Sequence, residues 1–255
     1  MNLESLTKQL IQIESISPND AGCFDILESI LEGMNFSCER ISYKNVENLY
    51  AVIGSQGPTL CFLGHTDVVP TGPSDQWTYP PFSGETHDDH IYGRGAADMK
   101  GNICAFVEAL GSFLKTEKLN YRIAILLTSN EEGTPEDGFI DELLKELKSR
   151  GETIDYCLVG EPSSSLKVAD TIRIGRRGSL SGKLKIIGKQ GHIAYPEKII
   201  NPIFLVTDLI KILKEKKWDS GNEHFQPTSF QISNINSGTG AGNIVPGELI
   251  MDFNF

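Results

Sequence analysis

Tyr121-Arg122-Ile123-Ala124-Ile125-Leu126-Leu127-Thr128 is a continuous apolar run, with isoleucine at 123 and 125, that stops abruptly at Ser129-Asn130-Glu131-Glu132. A run of this kind predicts a strand buried on both faces, as strands are inside a sheet that helices cover on two sides. The segments around it agree. Upstream, Asn102 to Leu114 places Ile103, Phe106, Val107 and Leu110 on one helical face. Before that helix, Asn48–Gly54 and Thr59–Leu63 are short apolar runs, and the second ends at Gly64-His65-Thr66-Asp67. Nearer the start, Leu3, Leu6, Leu10 and Ile13 predict one amphipathic helix, and Phe24, Leu27, Ile30, Leu31 and Met34 a second. Downstream, Thr134-Pro135 reads as a helix start, Thr as cap and Pro at the first helical position, for a helix running to about Arg150. A third apolar strand, Ile154–Val159, ends at Gly160-Glu161-Pro162. Strands alternating with helices predict an α/β fold with a mostly parallel sheet over residues 1–175.

Near Ile174 the pattern changes. Leu180, Gly182, Leu184 and Ile186 alternate with polar residues, a helix follows from about Pro202 to Lys216, and two further alternating strands lie near Thr228–Ile235 and Glu248–Phe255. Alternation implies one wet face, so residues 176–255 are expected to form a smaller β-α-β-β unit.

Composition excludes several classes of function. Over 255 residues, 23 Lys and Arg stand against 34 Asp and Glu, a formal net charge of −11, which repels nucleic acid and anionic bilayers alike. The longest purely apolar run, Ile123–Leu127, is far below the roughly 20 residues of a membrane span. The first helical pattern carries Glu4 and Lys8 and lacks the layout of a signal peptide. Five widely spaced cysteines, Cys23, Cys38, Cys61, Cys104 and Cys157, predict buried, reduced thiols in a cytoplasmic protein rather than a disulfide framework.

The chemistry is expected where the strands end. His65 and Asp67 follow one apolar strand, Glu131 and Glu132 the next, Glu161 the third, and a glycine-rich loop, Gly93–Gly101, adds Asp98. In an open α/β sheet the carboxyl ends of parallel strands share one rim, so these side chains should converge. One imidazole among carboxylates suits Zn²⁺ or Co²⁺, and a shared carboxylate lets two cations sit about 3.5–4 Å apart.

The motifs themselves resemble a known family. LGHTDVVP (Leu63–Pro70), YGRGAADMKG (Tyr92–Gly101), TSNEEG (Thr128–Gly133) and VGEPSS (Val159–Ser164) are similar to the signature segments of dinuclear-zinc metallopeptidases and deacylases, a family that includes acetylornithine deacetylase and aminoacylase. GRRGSLSGKL (Gly175–Leu184), GKQGHIAYP (Gly188–Pro196) and NSGTGAGNIVPGEL (Asn236–Leu249) resemble its desuccinylase branch. The resemblance implies a zinc-hydrolase catalytic domain followed by a smaller α/β lid and dimerisation domain. It implies that Asp98 bridges two Zn²⁺ or Co²⁺ ions, that His65 and Glu161 complete one site, and that Glu132 holds the second. Glu131 is then the general base for hydrolysis of a small succinylated diamino acid. Asp67, two residues beyond His65 and so on the same side of the strand, is expected to orient that imidazole. His192 is implied to stabilise the oxyanion in the partner subunit of a homodimer. Arg176, Tyr195 and Asn243 fall inside matched motifs and are candidate substrate contacts.

The family's last ligand to the second metal is a C-terminal histidine that no residue here matches, and its members run on beyond Phe255. Both domains are therefore expected to be cut, the second cation to be held weakly and the turnover of this chain to be small. The alternatives are an acetylornithine deacetylase-like deacylase and an inactive metal-binding remnant. Other patterns carry less: Gly93–Asp98 starts like a dinucleotide fingerprint but has Asp where the third Gly belongs, His87 and His90 lie in an acidic polar turn, and Ser164 with Lys167 lacks companion motifs.

Overall fold

The computed structural model describes residues 2–134 and 140–255, which divide into two units, residues 1–171 and 172–255. In the first unit, α1 (Leu3–Ile11) is capped by Asn2, whose side chain accepts from the N–H groups of Glu4 and Ser5 at 2.9 and 3.3 Å. α2 (Cys23–Gly33) starts where Asp20 accepts from the N–H groups of Gly22 and Phe24, satisfying donors a helix start leaves open. Next come β1 (Ser37–Tyr43), β2 (Val46–Ile53) and β3 (Thr59–His65), then the short pair β4 (Thr86–His87) and β5 (His90–Ile91). The remaining elements are α3 (Gly101–Thr116), β6 (Arg122–Thr128), α4 (Ile140–Ser149) and β7 (Tyr156–Val159).

The central sheet has the order β1-β2-β6-β3-β7. The α/β class is as expected, and the strands that carry the candidate site, β6, β3 and β7, are parallel. The sheet as a whole is mixed, because β1 and β2 form an antiparallel hairpin that pairs β2 antiparallel to β6. β6 is buried on both faces. Ile123, Ile125 and Leu127 pack with Leu10, Phe24, Leu27, Ile103 and Val107 of α1, α2 and α3, whereas Ala124 and Leu126 pack with Ile41, Cys61, Leu143 and Leu147 on the α4 side. Full burial of each such Leu or Ile contributes roughly 1.5–3 kcal/mol, so β6 anchors two core layers at once.

The helix start at Pro135 lies outside the described residues, and α4 is described from Ile140. The third apolar strand is an exposed edge: Tyr156, Leu158 and Val159 are 65%, 49% and 51% accessible, with β3 as its partner on one side. Cys157 on the same strand is exposed too, and Cys38 is half-buried, so only Cys23, Cys61 and Cys104 are the buried thiols expected.

One buried charge ties α1 to the loop that opens α3. Lys100 is 0% exposed, and its Nζ donates to the carbonyls of Leu10 at 2.7 Å and Ile13 at 2.9 Å, at the end of α1. Burial lowers its pKa. Lys100→Ala leaves two carbonyls without their donor and opens a cavity, and is expected to cost about 2–4 kcal/mol. Urea unfolding followed by circular dichroism measures this, with Lys100→Met, which keeps the volume, expected in between.

The second unit holds β8 (Ser181–Ile187), β9 (Gly191–His192), α5 (Pro202–Glu215), β10 (Gln231–Ser237), β11 (Ile244–Val245) and β12 (Glu248–Asn254). β10, β12 and β8 form an antiparallel sheet in that order. Its dry face carries Leu184, Ile186, Ile232, Leu249 and Met251 against Val206 and Ile210 of α5. Asn201 caps α5 by accepting from Ile203 N–H, and Pro202 occupies the first turn, where its missing N–H costs nothing.

Candidate metal centre

Three strand ends and one loop deliver the side chains. β3 finishes on His65, β6 gives way after Thr128 to Ser129-Asn130-Glu131-Glu132, and β7 stops at Val159, two residues before Glu161. The register pairs His65 with Thr128 and Leu63 with Val159, so the three ends open on one rim. Asp98 arrives in the tight turn Ala96–Lys100 that leads into α3.

His65 is 1% exposed, with Nε2 3.1 Å from Asp98 Oδ1 and 3.4 Å from Glu161 Oε1. Its Nδ1 lies 2.9 Å from the Asp67 carbonyl. In a neutral ring the proton therefore sits on Nδ1 and the Nε2 lone pair faces the acids, the tautomer a metal ligand needs. Asp67 is fully buried, and its two carboxylate oxygens accept from the N–H groups of Glu131 and Glu132, each at 3.1 Å, and from the Ser17 hydroxyl. One carboxylate thus serves two strand ends: it lies beside the His65 ring and pins the turn that presents both glutamates.

Two overlapping triads result. His65, Asp98 and Glu132 have ligand atoms within 4.8 Å of one another, and so do His65, Glu131 and Glu161. The crowding shows in the acid–base chemistry. Glu161 is pushed up to about 7, first by burial and then by the charges of Asp98 and Glu131. Glu132 is raised in the same way, by burial and by Asp98. At His65 burial favours the neutral ring, but bonding to Asp67 outweighs it and holds the pKa up to about 9. Burial also opposes ionisation of Asp67, yet its bonds with His65, Ser17 and the Glu131 N–H keep it below the usual carboxylate range.

Acids forced together at a rim beside a buried imidazole form a donor set that a divalent cation relieves, so these residues fit a metal site. Because His65 holds a proton at neutral pH, Glu161 is about half protonated there and a ligand must be deprotonated, zinc binding should release about one to two protons at about pH 7. Affinity should then rise from about pH 6 to about 9, through the Glu161 and then the His65 titration. Calorimetry in two buffers of different ionisation enthalpy reads the proton count; a count near zero would contradict the arrangement.

Residues that sequence reading passed over hold this rim. Met99 lies beneath both strand ends: its sulfur accepts the His65 N–H at 3.4 Å, and a Cβ on Gly64 or Gly160 would come within 2.6 Å of its terminal methyl. A side chain at Gly64 would crowd Met99, and one at Gly160 would crowd Phe62 as well as Met99. Asn102 donates to the Gly160 carbonyl at 2.6 Å and so ties the start of α3 to the segment bearing Glu161.

Residues 61–241 match Peptidase family M20/M25/M40. The chain belongs to that family. It is 52% identical over 251 residues to the succinyl-diaminopimelate desuccinylase of Methylobacillus flagellatus, which is 98% of this chain and 67% of that protein. The enzyme of the same name from Alkalilimnicola ehrlichii is 50% identical with the same coverage. The chain therefore spans about two thirds of the length of these relatives. Among solved structures, an M20 family metallo-carboxypeptidase from Sulfolobus solfataricus superposes with a TM-score of 0.81 at 20% identity, over 100% of this chain and 71% of that one. A Bacillus subtilis protein described as a dinuclear metal binding peptidase of the M20 family gives 0.66 at 15% identity, over 99% and 62%. These two likenesses concern the fold.

Members of the M20/M25/M40 family are metal-dependent hydrolases of small peptides and amides, and this chain is one by descent. Among the described residues no helix is long and apolar enough to cross a membrane. The remaining expected site residues of this M20 chain lie in the second unit. His192 ends β9 opposite Ile244. Its Nδ1 accepts from Ala194 N–H at 3.1 Å, and its Nε2 lies 3.3 Å from the side-chain nitrogen of Asn243. Tyr195 packs edge-on to the same ring with centroids 6.1 Å apart. Arg176 is exposed in an irregular stretch before β8. The structure thus groups His65, Asp67, Asp98, Glu131, Glu132 and Glu161 in one unit and His192, Tyr195 and Asn243 in the other.

Proposed function

We propose that this chain carries the amide-hydrolysing site of a desuccinylase that converts N-succinyl-LL-2,6-diaminopimelate to succinate and LL-2,6-diaminopimelate. The observation that supports it is one imidazole and four carboxylates brought together by three strand ends and the turn before α3, in a chain half identical to proteins of that name. His65, Glu161 and Asp98 would hold one Zn²⁺ or Co²⁺, and Asp98 with Glu132 a second. When bound, such cations lower the pKa of water toward neutrality and polarise the scissile carbonyl. Glu131, exposed at the rim with its N–H fixed by Asp67, takes the proton of the attacking water and returns it to the leaving amine. His192 would donate to the developing oxyanion from a second copy of the chain in a cytoplasmic homodimer. Arg176, with Tyr195 and Asn243, would contact the substrate, the guanidinium pairing with a substrate carboxylate.

His65 is the sole imidazole in either triad among the described residues, and carboxylates alone hold zinc less well. Elemental analysis after dialysis should find about one tightly held zinc per chain, and turnover should be correspondingly small. The test of the reaction itself loads the 255-residue chain with Zn²⁺ or Co²⁺ and follows succinate from N-succinyl-LL-2,6-diaminopimelate and acetate from N-acetylornithine. Metal-dependent release of succinate in preference to acetate supports the proposal. Preferential deacetylation, or release that ignores the metal, overturns it.

A further inference from the structure

Four residues before His65 on β3 and four residues before Glu161, in β7, the sheet sets two cysteines side by side. The parallel register pairs Cys61 with Cys157 as direct neighbours on adjacent strands, and the Cys61 S–H donates to the Phe62 carbonyl at 3.5 Å. Their surroundings differ sharply. Cys61 is 1% exposed, in the layer formed with Ala124, Leu126, Leu143 and Leu147, whereas Cys157 is exposed on the edge strand. Neither residue has a part in the hydrolytic chemistry described above.

We propose that Cys61 and Cys157 form a peroxide-reactive dithiol that closes reversibly to a disulfide between β3 and β7. Cys157 is the attacking thiol, because it meets solvent on the edge strand while Cys61 is buried beside it. The neighbouring Cys61 thiol holds the Cys157 pKa down to about 7, while burial raises Cys23, Cys38 and Cys104 to about 11. The thiolate attacks one oxygen of hydrogen peroxide, the O–O bond breaks, and sulfenic acid forms as hydroxide leaves and takes a proton to become water. Cys61 sulfur then attacks the sulfenic sulfur, the S–O bond breaks, and its thiol proton leaves with the hydroxide as a second water. In sum, two thiols and one peroxide give one disulfide and two waters.

Geometry also sets the character of the bond. Adjacent strands run about 4.7–4.9 Å apart, inside the Cα range of a disulfide, but in-register Cβ atoms must close toward about 3.8 Å. The bridge is therefore strained and readily reduced, which is the class of disulfide that cycles rather than the class that staples a fold.

The test uses the 255-residue chain at neutral pH with graded hydrogen peroxide, followed by alkylation, proteolysis and mass spectrometry. The expected result is loss of two thiols per chain and a linked peptide pair containing Cys61 and Cys157, reversed by dithiothreitol. Cys157 should react at least about tenfold faster than Cys38, an internal control in the same molecule. In Cys61→Ser the reaction should stop at a Cys157 sulfenic acid that dimedone traps. Oxidation of Cys38, Cys23 or Cys104 at the rate of Cys157 would overturn the proposal. So would a Cys157 bridge between two chains in place of the Cys61 link, or a wild-type Cys157 that accumulates as sulfenic acid.

Discussion

Replacing His65 by alanine should remove tight zinc binding, lowering affinity by more than about a hundredfold, beyond the usual effect of losing a partner of a ligand. The expectation follows from what each atom of the cluster supplies. His65 is common to both triads, its Nε2 is the atom closest to Asp98 and Glu161, and it is the one nitrogen donor there among the described residues. Without it the rim is an all-oxygen site, a set that suits magnesium, calcium or manganese better than zinc. Competition against a chromophoric chelator measures the loss. The same titration with Mn²⁺ should show a smaller change, and equal losses for both ions would point to collapse of the rim rather than removal of a donor. Asp98→Asn provides the complementary case: it removes the carboxylate expected to be shared, so the weaker cation should be lost first. A His65→Ala chain that binds zinc as tightly as the parent would show that the acids alone form the site.

How much of this was legible in the sequence depends on whether the signal is local. β6 was readable because burial on two faces leaves an unbroken apolar run, and its neighbours on both faces are the helices expected there. β1 was not, because Ser37-Cys38-Glu39-Arg40-Ile41-Ser42-Tyr43 is an edge strand with charges on its wet face and no apolar run to mark it. β7 was readable as a strand but not as an edge, since Tyr-Cys-Leu-Val carries no trace of what covers it. For the rim, the rule that parallel strands end on one side was enough to gather His65, Glu131, Glu132 and Glu161, since each lies within a few residues of such an end. The supporting contacts were beyond reach. Ser17 meets Asp67 across 50 residues, Met99 meets His65 across 34, and Lys100 meets Leu10 across 90, and none of the three belongs to a residue type that announces a role. The Cys61–Cys157 pair depends on strand order, β3 beside β7 with β6 on the other flank, which no local pattern encodes.

The two adjacent glutamates offer the sharpest separation of roles. Glu131→Gln should leave the zinc content unchanged and reduce succinate release by about 10²- to 10⁴-fold, because an amide of the same shape cannot accept the proton of water. Glu132→Gln should do the reverse in the first instance, weakening metal binding and losing turnover only as the cation is lost. The structure supplies both sides of the contrast. Asp67 holds the N–H groups of the two residues at equal distance, so neither substitution disturbs the turn that presents them. Glu132 shares a triad with Asp98, whose charge helps raise its pKa, and so stands where a cation would neutralise both. Glu131 is the more exposed of the two and lies in the triad with His65 and Glu161. The distinguishing experiment adds excess Zn²⁺ or Co²⁺ to each variant. Turnover should return in Glu132→Gln, whose defect is occupancy, and should stay absent in Glu131→Gln, whose defect is chemical. Recovery in Glu131→Gln, or equal zinc loss in the two proteins, would mean that both carboxylates are ligands and that the base is another group.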